Sequence, residues 1–254
     1  MSEVLSTTRE LVHVMGTVVT IDLFGVCDGV SVDASIQRAR DVLHEADRIF
    51  STYKASSPVS RLRRGEISLG ETPSQVADVL ELCQHAKTLS GGWFDPWSLP
   101  GGIDPTGYVK GWAAQLALDE LRGLELSGAI VNAAGDIASY GGPTADSVFR
   151  TGIVHPQDPQ RLIAITELIG CLATSGPSQR GEHLYNPFTR EFATAVVSAS
   201  VSGTDLGLCD ALATALSVGG QDVMVLIEHI EEYEALTFDS SGAMRATPGF
   251  RLMR

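Results

Sequence analysis

The chain has 254 residues, 44% of them hydrophobic and 19% charged, and a formal net charge of −13. That length supports a substantial core, in one large domain or two interleaved lobes. The acidic balance argues against nucleic acid as a partner, because neutralising phosphates takes clustered Lys and Arg. It still permits a phosphorylated cofactor whose charge a metal offsets locally.

Residues 1–10 read as a flexible N-terminus. Residues 11–23 carry β-branched side chains in alternation and predict a strand interrupted at Met15-Gly16-Thr17. Residues 31–50 predict an amphipathic helix, with Ile36, Ala39, Val42, Leu43, Ala46 and Ile49 on one face. Residues 72–90 predict a second helix. Thr72 would cap it, Pro73 suits its first turn, Gln75 completes a capping box and Gly91 stops it. A third helix is expected over about 109–121. Strands are expected at 129–132, 148–154, 162–168, 172–175 and 195–201, then helices at 206–218 and 222–230. Segments 234–238 and 243–247 read as a hairpin around Asp239-Ser240-Ser241-Gly242. This is a mixed α/β pattern with clustered strands, not strict βαβ alternation, and no composition break divides it.

Cys27, Cys83, Cys171 and Cys209 are scattered without CxxC spacing and read as buried free thiols. No basic-then-apolar leader and no apolar run of membrane length occurs, so the expectation is a cytoplasmic protein without membrane insertion.

The chemistry-bearing stretch is 91–111, GGWFDPWSLPGGIDPTGYVKG. Its glycines permit sharp turns and close approach to a ligand, Asp95 and Asp104 supply carboxylates, and Lys110 supplies a cation near a helix start. It reads as an ordered ligand loop or as a long surface loop. Asp210 and Thr214 stand four apart in CDALATAL, which puts carboxylate and hydroxyl on one helix face. Such oxygens suit Mg²⁺; a helix-start carboxylate, with Thr214 bonded back to its own helix, explains the same pair. His183, in GEHLYNPFTRE, reads as a general base, a phosphate or ring contact, or a solvent-facing loop histidine. Tyr53 reads as a stacking ring or a loop anchor. Neither a GxGxxG fingerprint nor a P-loop is present.

The order of short motifs resembles the ApbE-like family of FAD:protein FMN transferases. The matching tags are Met15-Gly16-Thr17, Phe50-Ser51-Thr52-Tyr53 with Ser57, Ser60, Arg61 and Leu62, and Phe94-Asp95-Pro96. They continue with Asp104, Gly107, Lys110 and Gly111 of D-x-G-G-x-x-K-G, then residues 131–136, Ala173-Thr174-Ser175-Gly176, the His183 segment and 210–215, DALATA. The resemblance implies an α+β flavin-binding fold, a mixed α/β single domain of two interleaved lobes with FAD between them and Mg²⁺ at its pyrophosphate. It implies Met15 and Tyr53 flanking the isoalloxazine, with Trp93, Phe94, Asp95, Asp104, Lys110, Asp136, His183 and Leu184 completing the FAD site. Asp210 and Thr214 would ligate the metal by side chain, Gly107 and Ala213 by backbone carbonyl. Lys110 would neutralise charge and His183 would assist deprotonation of the acceptor. The implied reaction moves FMN from FAD to a threonine hydroxyl of an acceptor flavoprotein and releases AMP. An FAD pyrophosphatase yielding FMN and AMP, or a non-catalytic flavin-binding protein, are the alternatives. Ala134 stands where the family has glycine and Asn186 where it has aspartate.

Overall fold

The computed structural model describes residues 7–25, 29–176, 184–192 and 194–253. His183 and Cys27 lie outside the described residues, as do residues 1–6 of the expected N-terminal tail; its residues 7–10 are instead strand, paired in register with Phe24 to Ile21.

The chain opens with an antiparallel hairpin, β1 (Thr7–Val14) and β2 (Thr17–Phe24). The interruption expected at Met15-Gly16 is its turn: both residues have positive φ, 52° and 70°, as a type I′ connection demands. Helix α1 (Gly29–Phe50) buries Ala39, Leu43, Ala46 and Ile49, the face that the spacing predicts. A short α2 (Pro58–Arg63) follows, capped by Ser57, whose Oγ accepts from the Ser60 amide.

Helix α3 (Ser74–Leu89) starts two residues later than predicted. Pro73 is the N-cap and has no capping bond. The Thr72 hydroxyl turns back to donate to the Leu69 carbonyl at 2.7 Å, and Glu71 is bonded to Ser68 instead. The stop is as predicted. Gly91 takes φ 61°, its amide donates to Thr88 O, and the Gly92 amide donates to Lys87 O. That pair of bonds is a Schellman ending. Helix α4 (Thr106–Asp119) starts three residues earlier than predicted. The Asp104 carboxylate accepts from both the Thr106 amide and hydroxyl, which ties off the first turn.

Strands β3 (Gly128–Ala133) and β4 (Asp136–Gly141) form a second hairpin through Ala134 and Gly135, at φ 54° and 99°. The sequence reading missed β4. Its first four residues, Asp136, Ile137, Ala138 and Ser139, are all buried, so no polar–apolar alternation marks them. Next come β5 (Phe149–His155), β6 (Asp158–Leu168), β7 (Cys171–Ser175), the small β8 (Tyr185–Asn186) and β9 (Glu191–Phe192), and β10 (Ser198–Gly203). Helices α5 (Leu206–Gly219) and α6 (Gln221–Ile227) precede the predicted hairpin, β11 (Glu234–Phe238) and β12 (Met244–Ala246).

Among the described residues the main sheet has eight strands in the order β1-β2-β3-β4-β7-β10-β11-β12, all pairs antiparallel. Val131, Ala138, Ala173 and Val201 face the layer of α4 and α5, inside the larger core. The alternate positions Ile137 and Leu172 face the β5–β6 ribbon, where Phe149, Ile153 and Leu168 complete a smaller core. Cys83, Cys171 and Cys209 are buried free thiols, as expected. Among the described residues no helix is long and apolar enough to cross a membrane.

Candidate functional site

Two glycines let α4 and α5 cross at close range. A Cβ on Gly111 would collide with the Leu206 carbonyl, and one on Gly207 with the Tyr108 ring. This approach sets Lys110 of α4 beside Asp210 of α5. The Lys110 Nζ pairs with Asp136 Oδ2 and stands 3.4 Å from Asp210 Oδ2. Both carboxylates are almost fully buried. Asp136 also accepts from the Thr174 amide at 3.2 Å, and Asp210 from the Gly111 amide at 3.3 Å. Two carboxylates thus share one ammonium in a buried cluster. Buried charges persist only when paired and hydrogen-bonded in this way.

Asp210 is not the helix-start carboxylate that a structural reading of CDALATAL allows. That place belongs to Asp205, whose Oδ1 accepts from the Leu208 amide at 2.6 Å. Asp210 sits a turn deeper and points at α4. One turn further along, the Thr214 hydroxyl faces Ser175 Oγ of β7 at 3.4 Å. A Cβ on Gly107 would stand 3.5 Å from Thr214 Oγ1 and 3.3 Å from the Phe94 ring. The opening of α4 therefore lies against the Asp210–Thr214 face.

The cleft above this cluster is lined by Trp93, Phe94, Asp95, Asp104, Gly107, Lys110, Ser175, Leu184, Asp210 and Thr214, among others, and measures about 110 Å³. It holds a phosphate-sized group; a dinucleotide would extend beyond it. Trp93 stacks edge-to-face with Phe188 at 4.7 Å between β8 and β9. Asp95 and Asp104 line the cleft, yet each carboxylate holds the loop in shape. Asp95 pairs with Lys87 at 2.7 Å and accepts from the Trp97 amide. Asp104 pairs with Arg63 at 3.3 Å besides capping α4. Arg63 also donates to the Gly101 and Pro100 carbonyls. Sequence reasoning passed over Arg63, because nothing local distinguishes it from its neighbours in SRLRR. Ser175 entered only as part of a tag.

Eight of the expected site residues thus converge on the cleft with Gly107 and Thr214, since Asp136 joins through Lys110. Ala213 is buried beside Thr214 in α5. Among the described residues, Met15 and Tyr53 lie outside the cleft lining. Met15 is half-buried in the β1–β2 turn, and Tyr53 is 92% exposed.

No group of three or more His, Cys, Asp or Glu side chains that could hold a metal occurs among the described residues. The cluster still fits a hard cation. Its carboxylate and hydroxyl donors are oxygens, and Mg²⁺ takes one or two carboxylates and completes its shell with water and substrate phosphate.

Fold and site together define a mixed α/β domain with an oxygen-lined, lysine-bridged cleft on the helix face of an antiparallel sheet. The model of the ApbE family matches residues 15–101 and 99–237; the chain belongs to the ApbE family. Among solved structures, it resembles the flavin transferase ApbE from Vibrio cholerae at TM-score 0.79 and 20% identity, covering 96% of this chain and 97% of that one. The ApbE protein from Thermotoga maritima gives 0.82 and 19%, covering 96% and 97%. The apo flavinyl transferase ApbE from Pseudomonas stutzeri gives 0.81 and 19%, covering 98% and 97%. No curated protein sequence matches significantly.

Proposed function

We propose that this protein transfers FMN from FAD to a threonine hydroxyl of an acceptor protein, with Mg²⁺ at the pyrophosphate and AMP released. The observation that carries the reading is the buried Lys110–Asp136–Asp210 cluster beside Thr214 at the floor of the cleft.

In the reaction the threonine oxygen forms a bond to the FMN-side phosphorus. The bond from that phosphorus to the bridging oxygen breaks, and AMP leaves with the bridging oxygen. The threonine proton passes to a base, the role that the family resemblance gives to His183. Phosphoryl transfer asks the protein mainly for positioning and charge neutralisation. Lys110 brings a positive charge to the floor of the cleft, and Asp136 holds the ammonium there. Asp210 and Thr214, with the carbonyls of Gly107 and Ala213, would hold Mg²⁺, which when bound neutralises charge on the pyrophosphate oxygens. Trp93, Phe94 and Leu184 supply apolar walls to the cleft.

The test incubates purified protein with FAD and MgCl2, with and without a candidate acceptor. AMP is measured by chromatography and covalent flavin by in-gel fluorescence. Asp210→Asn is expected to lower AMP release by about 10²–10³, the loss of one electrostatic contact in the transition state, with the fold intact. AMP with free FMN and no labelled acceptor would mean hydrolysis instead. FAD binding without AMP release would mean a non-catalytic flavin protein.

A further inference from the structure

A second cavity lies across the sheet from the cleft. It measures about 330 Å³ and is bounded by the start of β4, the end of β7 and the β5–β6 ribbon. Ser175 lines both spaces. The main sheet is parted here. Among the described residues β7 pairs with β4 only at Leu172 and Cys171, whereas all five β7 residues pair with β10. Beyond that point it is the Asp136 side chain, not a neighbouring strand, that takes the Thr174 amide. The notch between β4 and β7 therefore opens towards the ribbon face, with Ser175 at the boundary of the two spaces.

The lining differs in kind from the cleft. Asn132, Thr174 and Ser198 supply neutral hydrogen-bonding groups, Ile137, Leu172 and Val154 supply apolar walls, and no described lining residue is charged. An extended chain finds partners for its backbone in such a setting, while a charged side chain would be buried unpaired.

In-line displacement adds a geometric demand. The attacking and leaving oxygens stand on opposite sides of the phosphorus. On the transfer reading the pyrophosphate lies in the helix-face cleft, so the attacking hydroxyl has to reach the phosphorus from the side opposite the leaving oxygen. We propose that the ribbon-face cavity receives the threonine-bearing segment of the acceptor, extended and uncharged, and delivers its hydroxyl past Ser175. The inference rests on the transfer reading above and names where its second substrate binds.

The test uses the full chain with FAD and MgCl2. The probes are two capped pentapeptides: Ala-Ala-Thr-Ala-Ala, and a second with Glu on either side of the threonine. FAD affinity is read from flavin fluorescence, AMP by chromatography and FMN-peptide by mass. Thr151→Trp fills the cavity from the ribbon, and Val154→Asp, at a half-exposed rim position, adds a charge without disturbing the core. Both are expected to lower labelling of the alanine peptide about tenfold, the effect of one good interface contact, with FAD affinity unchanged. The glutamate peptide is expected to be labelled poorly by the wild type. Equal labelling of both peptides or unchanged labelling in Val154→Asp would each overturn the inference, while AMP with free FMN and neither peptide labelled would overturn the transfer reading itself. Absence of FAD binding would overturn the transfer reading, and this inference with it.

Discussion

The α4–α5 crossing and the loop at 91–105 both border the cleft, and both contain aspartates, but the carboxylates answer to different forces. At the crossing, Asp136 and Asp210 are buried and share Lys110 across 26 and 100 residues of sequence. In the loop, Asp95 and Asp104 are bonded to Lys87 and Arg63 and to nearby amides. The first pair gathers buried carboxylate oxygens around one ammonium beside the cleft. The second pair holds a glycine-rich chain in one shape, which low-propensity sequence alone would not keep. Residue type does not separate a buried carboxylate that shares a distant lysine from one that holds a loop; burial and partners do.

The largest effect should come from the crossing. Lys110→Met leaves two buried carboxylates facing each other, and removing one partner of a buried ion set costs about 3–5 kcal/mol. Urea unfolding at neutral pH reads this directly. A small change would mean that the carboxylates are already solvated, and the contrast with the loop would fail.

Gly111→Ala tests the backbone contact behind the crossing. Its Cβ would meet the Leu206 carbonyl, which cannot rotate away, so a loss of about 1–3 kcal/mol is expected from overpacking. The same substitution at Gly102, in the loop, meets only the Arg63 carbonyl at 3.6 Å and is strained by its φ of 96° alone. Thermal unfolding of the two variants should rank Gly111→Ala as the more damaging.

Alkaline pH probes both regions through their thiols. Burial, above all, pushes Cys83 and Cys171 up from 9.0 to about 12; the Asp104 charge adds to the shift at Cys83 and Asp205 to that at Cys171. Both thiols stay protonated in the folded chain while the unfolded chain ionises above pH 9. Their contribution is therefore complete below pH 9 and declines as pH rises towards 12, by about 1.4 kcal/mol per pH unit for each thiol. Tyr233, pushed up from 10.0 to about 12 chiefly by burial, steepens the decline above pH 10. Denaturant midpoints between pH 8 and 10.5 should fall less steeply in Cys83→Ala and in Cys171→Ala than in the wild type.

The smallest stability effect belongs to Arg63→Ala. It removes a partly buried bond to Asp104 and exposed bonds to the Gly101 and Pro100 carbonyls, for about 1 kcal/mol. Its sharper signature is functional: FAD affinity should fall because the loop is no longer pinned, while metal dependence stays. Equal loss of both would tie the loop directly to the Lys110–Asp136–Asp210 cluster.

Much of the scaffold could be read without coordinates. The α1 face, the Gly91 ending, the β11–β12 hairpin and the i,i+4 relation of Asp210 and Thr214 are all local, because helix period, turn conformation and capping depend on residues a few positions apart. Helix α4 starts three residues before the expected position because its N-cap is Pro105, which offers no capping side chain, and the first turn is tied off from outside by Asp104. Strand β4 escaped notice because burial on both faces erases alternation.

The sequence by itself determined most of the long elements, the oxygen-rich residue types and, through the order of its motifs, the resemblance to a family. The tertiary structure alone decided which carboxylates share a lysine, that Asp205 rather than Asp210 caps α5, that Arg63 pins the loop, and that cleft and cavity meet at Ser175. Those outcomes depend on Gly111 and Gly207 admitting one helix against another and on β4 and β7 parting after two paired positions. Distances of that kind are set by packing between segments far apart in the chain, where local periodicity carries no signal.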